Sequence, residues 1–287
     1  MFASIRKTKI YFDIAGMQLV PSLRGLQTRP VIFLIHGGPG SNHLRYKTHS
    51  LELQDQAQLI FIDQRGCGRS QTGNASEYTL ENNIEDIEAL RQYLGLEKII
   101  LLGTSYGGVV AQGYAIRYQK NLDKLILVAT APSFRFLTEA QNNLNKNGTE
   151  EQIRLGQKLW SGTFKTSGEV ERFFKIMDPL YSVKARISCQ RNYRSSDKLS
   201  WSYQALNKGF SGFLRTFDFI PYLKKIKKPT LILAGKEDWI CTPEQSKIMA
   251  KNIPNSKVKI FKNCSHAISY DVHDQYIKVI KNFIKSS

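Results

Sequence analysis

A serine flanked by small residues is the first feature of this sequence that could do chemistry. Residues 103–107 read Gly-Thr-Ser-Tyr-Gly, with Ser105 at the centre and a glycine two positions to either side. An apolar run at 99–102 precedes this motif, and an apolar-faced segment at 109–118 follows it. A serine on a sharp strand-to-helix turn needs tiny neighbours at those two positions, so that its hydroxyl stands clear. The motif in this context predicts Ser105 as a nucleophile.

A histidine is the expected base for such a serine. A serine hydroxyl is a weak nucleophile at neutral pH unless a base accepts its proton. In folds with this turn the acid and then the histidine follow the serine along the chain, and only His266 and His273 do so here. His266 comes directly after an apolar run, in a loop, whereas His273 falls in the region of the last helix. We therefore predict His266 as the general base.

The acid that orients the base should also follow a strand. Asp238 comes shortly after the apolar run at 231–234, and there it would hold the imidazole in one tautomer and stabilise the imidazolium. Glu237 is the adjacent alternative, while Asp271 or Asp274 would require the last helix to bend back. We predict Asp238.

Two backbone N–H groups are needed to stabilise the oxyanion of an acyl-transfer reaction. Tyr106, directly after the nucleophile, supplies one. The second is expected in the loop after the apolar run at 31–35, where residues 36–40 read His-Gly-Gly-Pro-Gly. Glycines let the backbone approach a substrate closely, and we predict Gly38 as the donor. His36 is expected to form structural hydrogen bonds.

The elements that position these residues are short apolar runs alternating with amphipathic segments. Apolar runs of this length are typical of strands buried on both faces of a parallel sheet. They lie at 31–35, 59–62, 99–102, 125–129, 231–234 and 258–261. Residues 80–94 have helical apolar spacing and end at Gly95, a typical helix stop. The alternation predicts a mostly parallel sheet flanked by helices, an α/β fold.

The alternation is interrupted between about residues 133 and 215. This stretch lacks a comparable strand run and contains segments with helical spacing, such as 153–160 and 170–174. We predict a single core, formed by residues 1–132 and 216–287, with a helical cap inserted at 133–215.

The bulk properties predict an ordinary globular protein with an unusually basic surface. Of 287 residues 41% are hydrophobic and 23% are charged, and the formal net charge is +17. No recognition motif accompanies this charge, so we do not expect nucleic-acid binding. No apolar run approaches the length of a membrane span, and residues 1–7 lack the features of a secretory signal. These observations predict a cytoplasmic protein.

The four cysteines show neither metal-ligand spacing nor a disulfide framework, so we expect free thiols and no bound metal. They are Cys67, Cys189, Cys241 and Cys264. Because Cys241 and Cys264 flank the acid and base loops, a disulfide between these two stays open.

The motifs together resemble the proline iminopeptidase (prolyl aminopeptidase) family of serine peptidases. Three segments carry the resemblance: 36–40, 103–108, and 63–70, which reads Asp-Gln-Arg-Gly-Cys-Gly-Arg-Ser. The glycine and acid at 235 and 238 and the Ser-His pair at 265–266 extend it. The resemblance implies an α/β-hydrolase fold and release of an N-terminal residue, proline or small and apolar, from short peptides. It also implies an acyl-enzyme on Ser105 and no cofactor. The arginines of the segment at 63–70 are expected to brace neighbouring loops.

The predicted cap departs from what the resemblance implies. Members of this family bind the free amine of the substrate with carboxylates, several of them from the cap, but this cap is poor in acids and rich in Arg and Lys. The candidate acids that remain are Glu139, Glu169 and Asp178. A basic cap suits a neutral or anionic group better than an amine.

Two other functions stay open at this point. The same three side chains could serve an esterase or amidase acting on small acyl compounds. A ligand-binding receptor that has kept the pocket without catalysis is the alternative outside enzymes. All of these take a small molecule or a short peptide as partner.

Overall fold

A mostly parallel sheet of eight strands forms the centre of the protein. The computed structural model describes residues 1–23, 25–188 and 201–286. In this part of the chain the strand order is β1-β2-β6-β5-β7-β8-β9-β10, with β1, β2 and β6 paired antiparallel and the pairs from β6 onward parallel. The strands are β1 Phe2–Ile5, β2 Thr8–Ala15, β5 Val31–Ile35, β6 Gln58–Ile62, β7 Ile99–Thr104, β8 Leu122–Val128, β9 Thr230–Gly235 and β10 Ser256–Phe261, and a separate hairpin consists of β3 Leu19–Ser22 and β4 Gly25–Thr28.

Helices cover both faces of this sheet. They are α1 Leu44–Ser50, α2 Leu80–Tyr93, α3 Tyr106–Tyr118, α4 Phe136–Asn147, α5 Glu150–Ser161, α6 Ser167–Tyr181, α7 Val183–Ser188, α8 Tyr203–Ser211, α9 Pro243–Asn252, α10 Ile268–Asp271 and α11 His273–Lys285. Successive residues of β5 belong to different apolar clusters: Phe33 packs with α2 and α3, and Leu34 packs with α11. Because neighbouring side chains on a strand point to opposite faces, a strand covered on both sides has to be apolar throughout. The predicted α/β-hydrolase architecture is confirmed.

Strand β10 differs from its prediction. The segment at 258–261 was expected to be buried on both faces although it contains Lys259, but β10 is the last strand of the sheet and Val258 is 41% exposed. Short apolar runs do not distinguish a central strand from an edge strand, because the number of neighbouring strands is a tertiary property.

The strands β1 to β4 were not predicted at all. β1 and β2 extend the sheet as an antiparallel pair beyond β6, and β2 carries charged residues among its apolar ones. The hairpin of β3 and β4 is mostly exposed, so burial leaves little pattern in its sequence.

Helices α4 to α8 lie between β8 and β9, and we refer to them as the cap segment. They include the segments at 153–160 and 170–174 that were expected to be helical. Part of the predicted cap, residues 189–200 with Cys189, lies outside the described residues. The domain boundaries at 133 and 215 stay a prediction.

Within the described residues, no helix is long and apolar enough to cross a membrane, and no group of three His, Cys, Asp or Glu is arranged to hold a metal ion. Cys67, Cys241 and Cys264 are buried free thiols. Cys241 and Cys264 are therefore not joined in this structure, and burial raises the pKa of both.

Candidate active site

Ser105 lies on the tight turn between β7 and α3. Its φ and ψ are 54° and −123°, a strained combination for a residue with a side chain. Its N–H donates to the Val128 carbonyl at 2.8 Å, and its carbonyl accepts the Thr130 hydroxyl at 2.7 Å. These bonds to the residues at the end of β8 hold the strained turn in place.

The glycines around Ser105 are required by close backbone contacts. A Cβ atom on Gly103 would lie 2.2 Å from the carbonyl oxygen of Gly107, and one on Gly107 would lie 2.2 Å from that of Ile35. Both distances are far below contact distance, so only glycine fits at either position. The steric reason inferred from the sequence applies to this turn.

His266 and Asp238 form a hydrogen-bonded pair. The Nδ1 atom of His266 lies 2.8 Å from Oδ2 of Asp238, and the carboxylate is fully buried. The other carboxylate oxygen, Oδ1, accepts the backbone N–H groups of Ile240 at 3.0 Å and Cys241 at 2.9 Å. An ionised carboxylate only accepts hydrogen bonds. The contact fits the tautomer of a neutral His266 that carries its proton on Nδ1, and in that tautomer Nε2 is an acceptor.

The acid and base loops are packed directly against each other. A Cβ atom on Gly235, the last residue of β9, would lie 2.1 Å from the carbonyl oxygen of Ser265. The N–H of Glu237 donates to the carbonyl of Cys264 at 2.9 Å. This contact between the residues preceding Asp238 and those preceding His266 brings the two side chains together across 28 positions of the chain.

Two of the alternative acids and the alternative base have other partners, and the third acid is exposed. Glu237 forms an ion pair with Arg186 on the cap segment, and Asp274 is exposed on α11. His273 contacts Glu52 through Nε2 at 2.8 Å. Asp271 is buried and accepts hydrogen bonds from Ser182, Val183, Lys184 and Ser265.

The glycine-rich loop lies beside Ser105. A Cβ atom on Gly37 would come within 2.9 Å of Cβ of Ser105, and Gly38 has a φ of 113°, which favours glycine. Tyr106 is the first residue of α3, so its N–H has no acceptor within the helix. Gly38 and Tyr106, the two predicted oxyanion donors, line the same cavity as Ser105.

The segment at 63–70 forms hydrogen bonds with the glycine-rich loop and with α2. The N–H of Gln64 donates to Nε2 of His36 at 3.0 Å, and its side-chain amide donates to the His36 carbonyl at 2.7 Å. Arg65 binds both carboxylate oxygens of Asp86 on α2, at 2.9 and 2.8 Å. His36 thus has the structural role expected of it, and Arg65 braces a neighbouring element.

One buried pair in this region was missed by the sequence reasoning. Nδ1 of His43 lies 2.9 Å from Oδ1 of Asp63, and the same oxygen accepts the backbone N–H of His43 at 2.7 Å. Oδ2 accepts the N–H of Arg69 at 2.9 Å. In the sequence Asp63 is the first residue of the segment at 63–70, and nothing in the spacing indicates its partner 20 residues earlier.

A cavity of about 340 Å³ opens above Ser105. Ser105, Gly38, Tyr106 and His266 all line it. Most of its wall is apolar and aromatic, with the side chains of Val109, Phe136, Leu159, Phe174, Tyr181, Trp201, Phe210, Leu214, Ile240 and Ile268. Phe174 and Trp201 stack face to face with ring centroids 4.0 Å apart.

Two charged side chains of the described residues, Arg45 and Asp178, line this cavity. Arg45 belongs to α1 of the core, and Asp178 belongs to α6 of the cap segment. The other two candidate acids are absent from the lining. Glu139 accepts hydrogen bonds from Thr242 and Gln245, and Glu169 binds Lys158. The described part of the cap segment is rich in basic residues. The charged side chain that it contributes to the cavity lining is nevertheless a carboxylate, that of Asp178.

Comparisons with known proteins identify the family of this chain. A family model described as alpha/beta hydrolase fold matches residues 30–271. The chain is 31% identical to the proline iminopeptidase PfmaB of Pestalotiopsis fici over 96% of this chain and 99% of that protein. It is 33% identical to the proline iminopeptidase of Saccharolobus solfataricus over 87% of this chain and 83% of that protein. This chain belongs to the proline iminopeptidase family of α/β hydrolases.

The solved structures show the same fold. The crystal structure of the proline iminopeptidase of Mycobacterium smegmatis superposes with a TM-score of 0.75 at 18% identity, covering 99% of this chain and 97% of that one. The family and the fold together identify this chain as a hydrolase.

Proposed function

We propose that this hydrolase is a serine aminopeptidase that releases an N-terminal proline or small apolar residue from short peptides. One observation carries the proposal: Ser105, the His266 imidazole paired with Asp238, and the Asp178 carboxylate all belong to one largely apolar cavity. Ser105, His266 and Asp238 are the groups that acyl transfer needs. Asp178 is a group that a protonated amine needs.

Acylation begins when the Ser105 hydroxyl attacks the carbonyl carbon of the first peptide bond. His266 accepts the hydroxyl proton at Nε2, and the buried Asp238 stabilises the imidazolium. The carbonyl oxygen becomes an oxyanion that accepts the N–H groups of Gly38 and Tyr106. When the C–N bond breaks, His266 returns the proton to the leaving amine, and the acyl-enzyme remains on Ser105.

Deacylation repeats these steps with water. His266 takes a proton from the water molecule as its oxygen attacks the ester carbonyl, and the Ser105 oxygen leaves with that proton. The products are a free amino acid and a peptide shortened by one residue. Apart from water, this route needs no group beyond the side chains and backbone of the chain, and the absence of a cofactor stays a prediction.

Substrate selection rests on the size and lining of the cavity. A volume of about 340 Å³ lies at the small end of ligand pockets, which suits one residue with a short extension. Its apolar wall favours a side chain such as that of proline. Asp178 would stabilise a protonated N-terminus, since a carboxylate and an ammonium attract strongly where water is scarce.

An esterase or amidase of small neutral acyl compounds is the second candidate. The observation that favours it is the mainly apolar lining, which has few polar groups to recognise any part of a peptide beyond its amine. The chemistry at Ser105 would be the same, so only the requirement for a free amine separates the two candidates.

A fluorophosphonate probe tests whether Ser105 is the nucleophile. We expect covalent labelling of the folded wild-type protein at Ser105 and none of the Ser105→Ala variant, as measured by peptide mass spectrometry. Absence of labelling in folded wild-type protein would contradict the hydrolase mechanism and favour the non-catalytic receptor.

Blocking the substrate amine tests the peptidase assignment. We expect prolyl and alanyl anilides to be turned over and their N-acetylated forms not to be. Asp178→Asn should lower kcat/KM for the free-amine substrates at least about 10-fold and leave p-nitrophenyl acetate hydrolysis within about 2-fold of wild type. Glu169→Gln, which alters a partly exposed cap acid that binds Lys158 outside the cavity, is the matched control. Turnover confined to esters would establish the second candidate instead.

The predicted partners and location accompany this proposal as predictions. A short peptide or small molecule is the expected partner, nucleic acid is not, and the cytoplasm is the expected compartment.

A further inference from the structure

Asp271, the last residue of α10, joins the cap segment to the loop that carries His266. Its side chain is 5% exposed. Oδ1 accepts the Ser182 hydroxyl at 2.5 Å and the Lys184 N–H at 3.2 Å. Oδ2 accepts the Val183 N–H at 3.0 Å and the Ser265 N–H at 2.9 Å. A carboxylate has about four acceptor positions, so all of them are used.

The donors come from two different places. Ser182, Val183 and Lys184 belong to the junction of α6 and α7 in the cap segment, whereas Ser265 directly precedes His266. One buried carboxylate therefore holds both the cap segment and the loop of the proposed general base. The remaining bonds of Ser182 tighten the same junction, since its hydroxyl oxygen accepts the N–H of Ala185 at 3.0 Å.

Further bonds link the same loop to the end of α6. The Ser265 hydroxyl donates to the Leu180 carbonyl at 2.7 Å, and the Ala267 N–H donates to the Tyr181 carbonyl at 2.8 Å. His266 thus has a neighbour bonded to the cap segment on each side. The ring of Tyr181 meets the imidazole edge to face, with centroids 5.3 Å apart.

We infer that Asp271 is a positioning residue that sets the placement of His266 relative to the cap segment. The inference rests on the proposed role of His266 as general base. A general base acts only within hydrogen-bond reach of the proton it abstracts, and a displacement of 1 Å can lower a rate about 100-fold. Since α6 also carries Asp178 and Tyr181 into the cavity, the carboxylate positions the base and one wall of the substrate cavity together.

Asparagine is the informative replacement at this position. It has nearly the shape of aspartate but only one acceptor oxygen, and its NH₂ group would face two of the four donors. Asp271→Asn therefore removes two of the four hydrogen bonds to this side chain without opening a cavity. Asp274→Asn, an exposed acid on the adjacent helix α11, is the matched control.

Hydrogen exchange of backbone amides tests the junction without relying on activity. In Asp271→Asn we expect the amides of residues 183–185 and of 265–267 to exchange at least about 10-fold faster than in the wild type, and to do so together. Asp274→Asn should exchange as the wild type does. Unchanged protection at either segment of Asp271→Asn would overturn the inference.

Kinetics of a small ester and of a prolyl anilide separate positioning from stability. Rates are normalised to the sites titrated by the fluorophosphonate probe and measured well below the unfolding temperature. We expect kcat to fall on the order of 10-fold to 100-fold for both substrates, and KM to rise for the anilide, which contacts the cap segment. Wild-type kcat per titrated site in Asp271→Asn, even with a lowered Tm, would overturn the positioning role.

The proposed function and this inference fail in different ways. If wild-type Ser105 is not labelled, the hydrolase mechanism fails, and hydrogen exchange still decides whether Asp271 joins the two segments. If Ser105 is labelled and both variants behave as the wild type, only the inference fails.

Discussion

Two histidine–aspartate pairs with a buried carboxylate lie among the described residues, and they have nearly the same geometry. In one, His266 lies 2.8 Å from Asp238, and in the other, His43 lies 2.9 Å from Asp63. In both pairs Nδ1 faces the carboxylate, and the carboxylate also accepts backbone N–H groups. Their hydrogen-bonding chemistry alone does not distinguish them.

Access to the cavity distinguishes them. The side chain of His266 is 10% exposed and lines the cavity with Ser105, whereas that of His43 is 1% exposed and is absent from the lining. His43 packs against the ring of Tyr11, with centroids 5.1 Å apart, and its Nε2 has no hydrogen-bond partner among the described residues. An imidazole and a carboxylate can therefore form a proton-transfer pair or a structural clamp, and the difference is whether a substrate and a nucleophile can reach Nε2.

The largest expected effect separates the two histidines by chemistry. His266→Gln should lower kcat by about 10⁶-fold, because the nucleophile loses its base. His43→Gln should keep kcat within about 10-fold of wild type below its unfolding temperature, since His43 does not reach the cavity. Steady-state rates on a prolyl anilide, normalised to folded protein, measure both. Equal losses in the two variants would remove the distinction.

The two aspartates provide the next test. Asp238→Asn should lower kcat by about 10⁴-fold, because the amide favours the wrong tautomer of His266. Its fold should be retained, since Asn can still accept the N–H groups of Ile240 and Cys241. Circular dichroism together with the anilide assay measures this. A mild loss of activity would point to another acid.

Asp63→Asn should act on stability more than on chemistry. It replaces one of the two acceptor oxygens by an NH₂ group, and a buried donor left without its acceptor costs about 1–3 kcal/mol. Asp13→Asn, which removes a partly exposed partner of Lys47, should cost no more than about 1 kcal/mol. Urea unfolding of both variants gives the comparison. An Asp63→Asn variant as stable as Asp13→Asn would show that the clamp contributes little.

The smallest expected effect concerns His36, a buried histidine whose ring faces backbone groups. Burial lowers its pKa from the ordinary value of 6.5, although the charge of Asp63 opposes the shift. Below pH 6.5 the unfolded chain therefore binds a proton that the folded chain does not, so stability falls as the pH falls. The slope from this residue is at most about 1.4 kcal/mol per pH unit.

Unfolding free energies at pH 7.5 and 5.5 measure the His36 contribution, and the pH dependence should be weaker in His36→Asn. An identical dependence in the variant would assign the effect to other groups.

The fold was largely predictable because its central strands are covered on both faces. The runs at 31–35 and 99–102 are apolar throughout for that reason, and β5 and β7 include them in full. The paired roles of Gly103 and Gly107 were predictable because the steric requirement of the turn is local. The strands β1 to β4 and the edge position of β10 were not, since exposure on one face leaves a weaker pattern.

The candidate site was predictable only in part. Asp238 and His266 could be selected because each follows a strand, and the carboxyl ends of parallel strands lie at the same edge of the sheet. Their catalytic roles, and those of Gly38 and Tyr106, stay predictions until the variants are measured. The pairing of Asp63 with His43 had no signal in the spacing. The sequence indicates Asp271 only as an alternative acid. Three of its four hydrogen-bond donors belong to the distant junction of α6 and α7, and only the folded structure brings them to Asp271.

The sequence by itself determined which chemical groups follow which strand. Burial leaves apolar runs in the sequence, and the local steric requirements of a turn leave glycines at fixed positions. Only the tertiary structure decided which histidine–aspartate pair faces the cavity and which cap acid lines it. The reason is that access and burial depend on segments far apart in sequence, as Ser182 and Asp271 are, 89 positions from each other yet joined by one hydrogen bond.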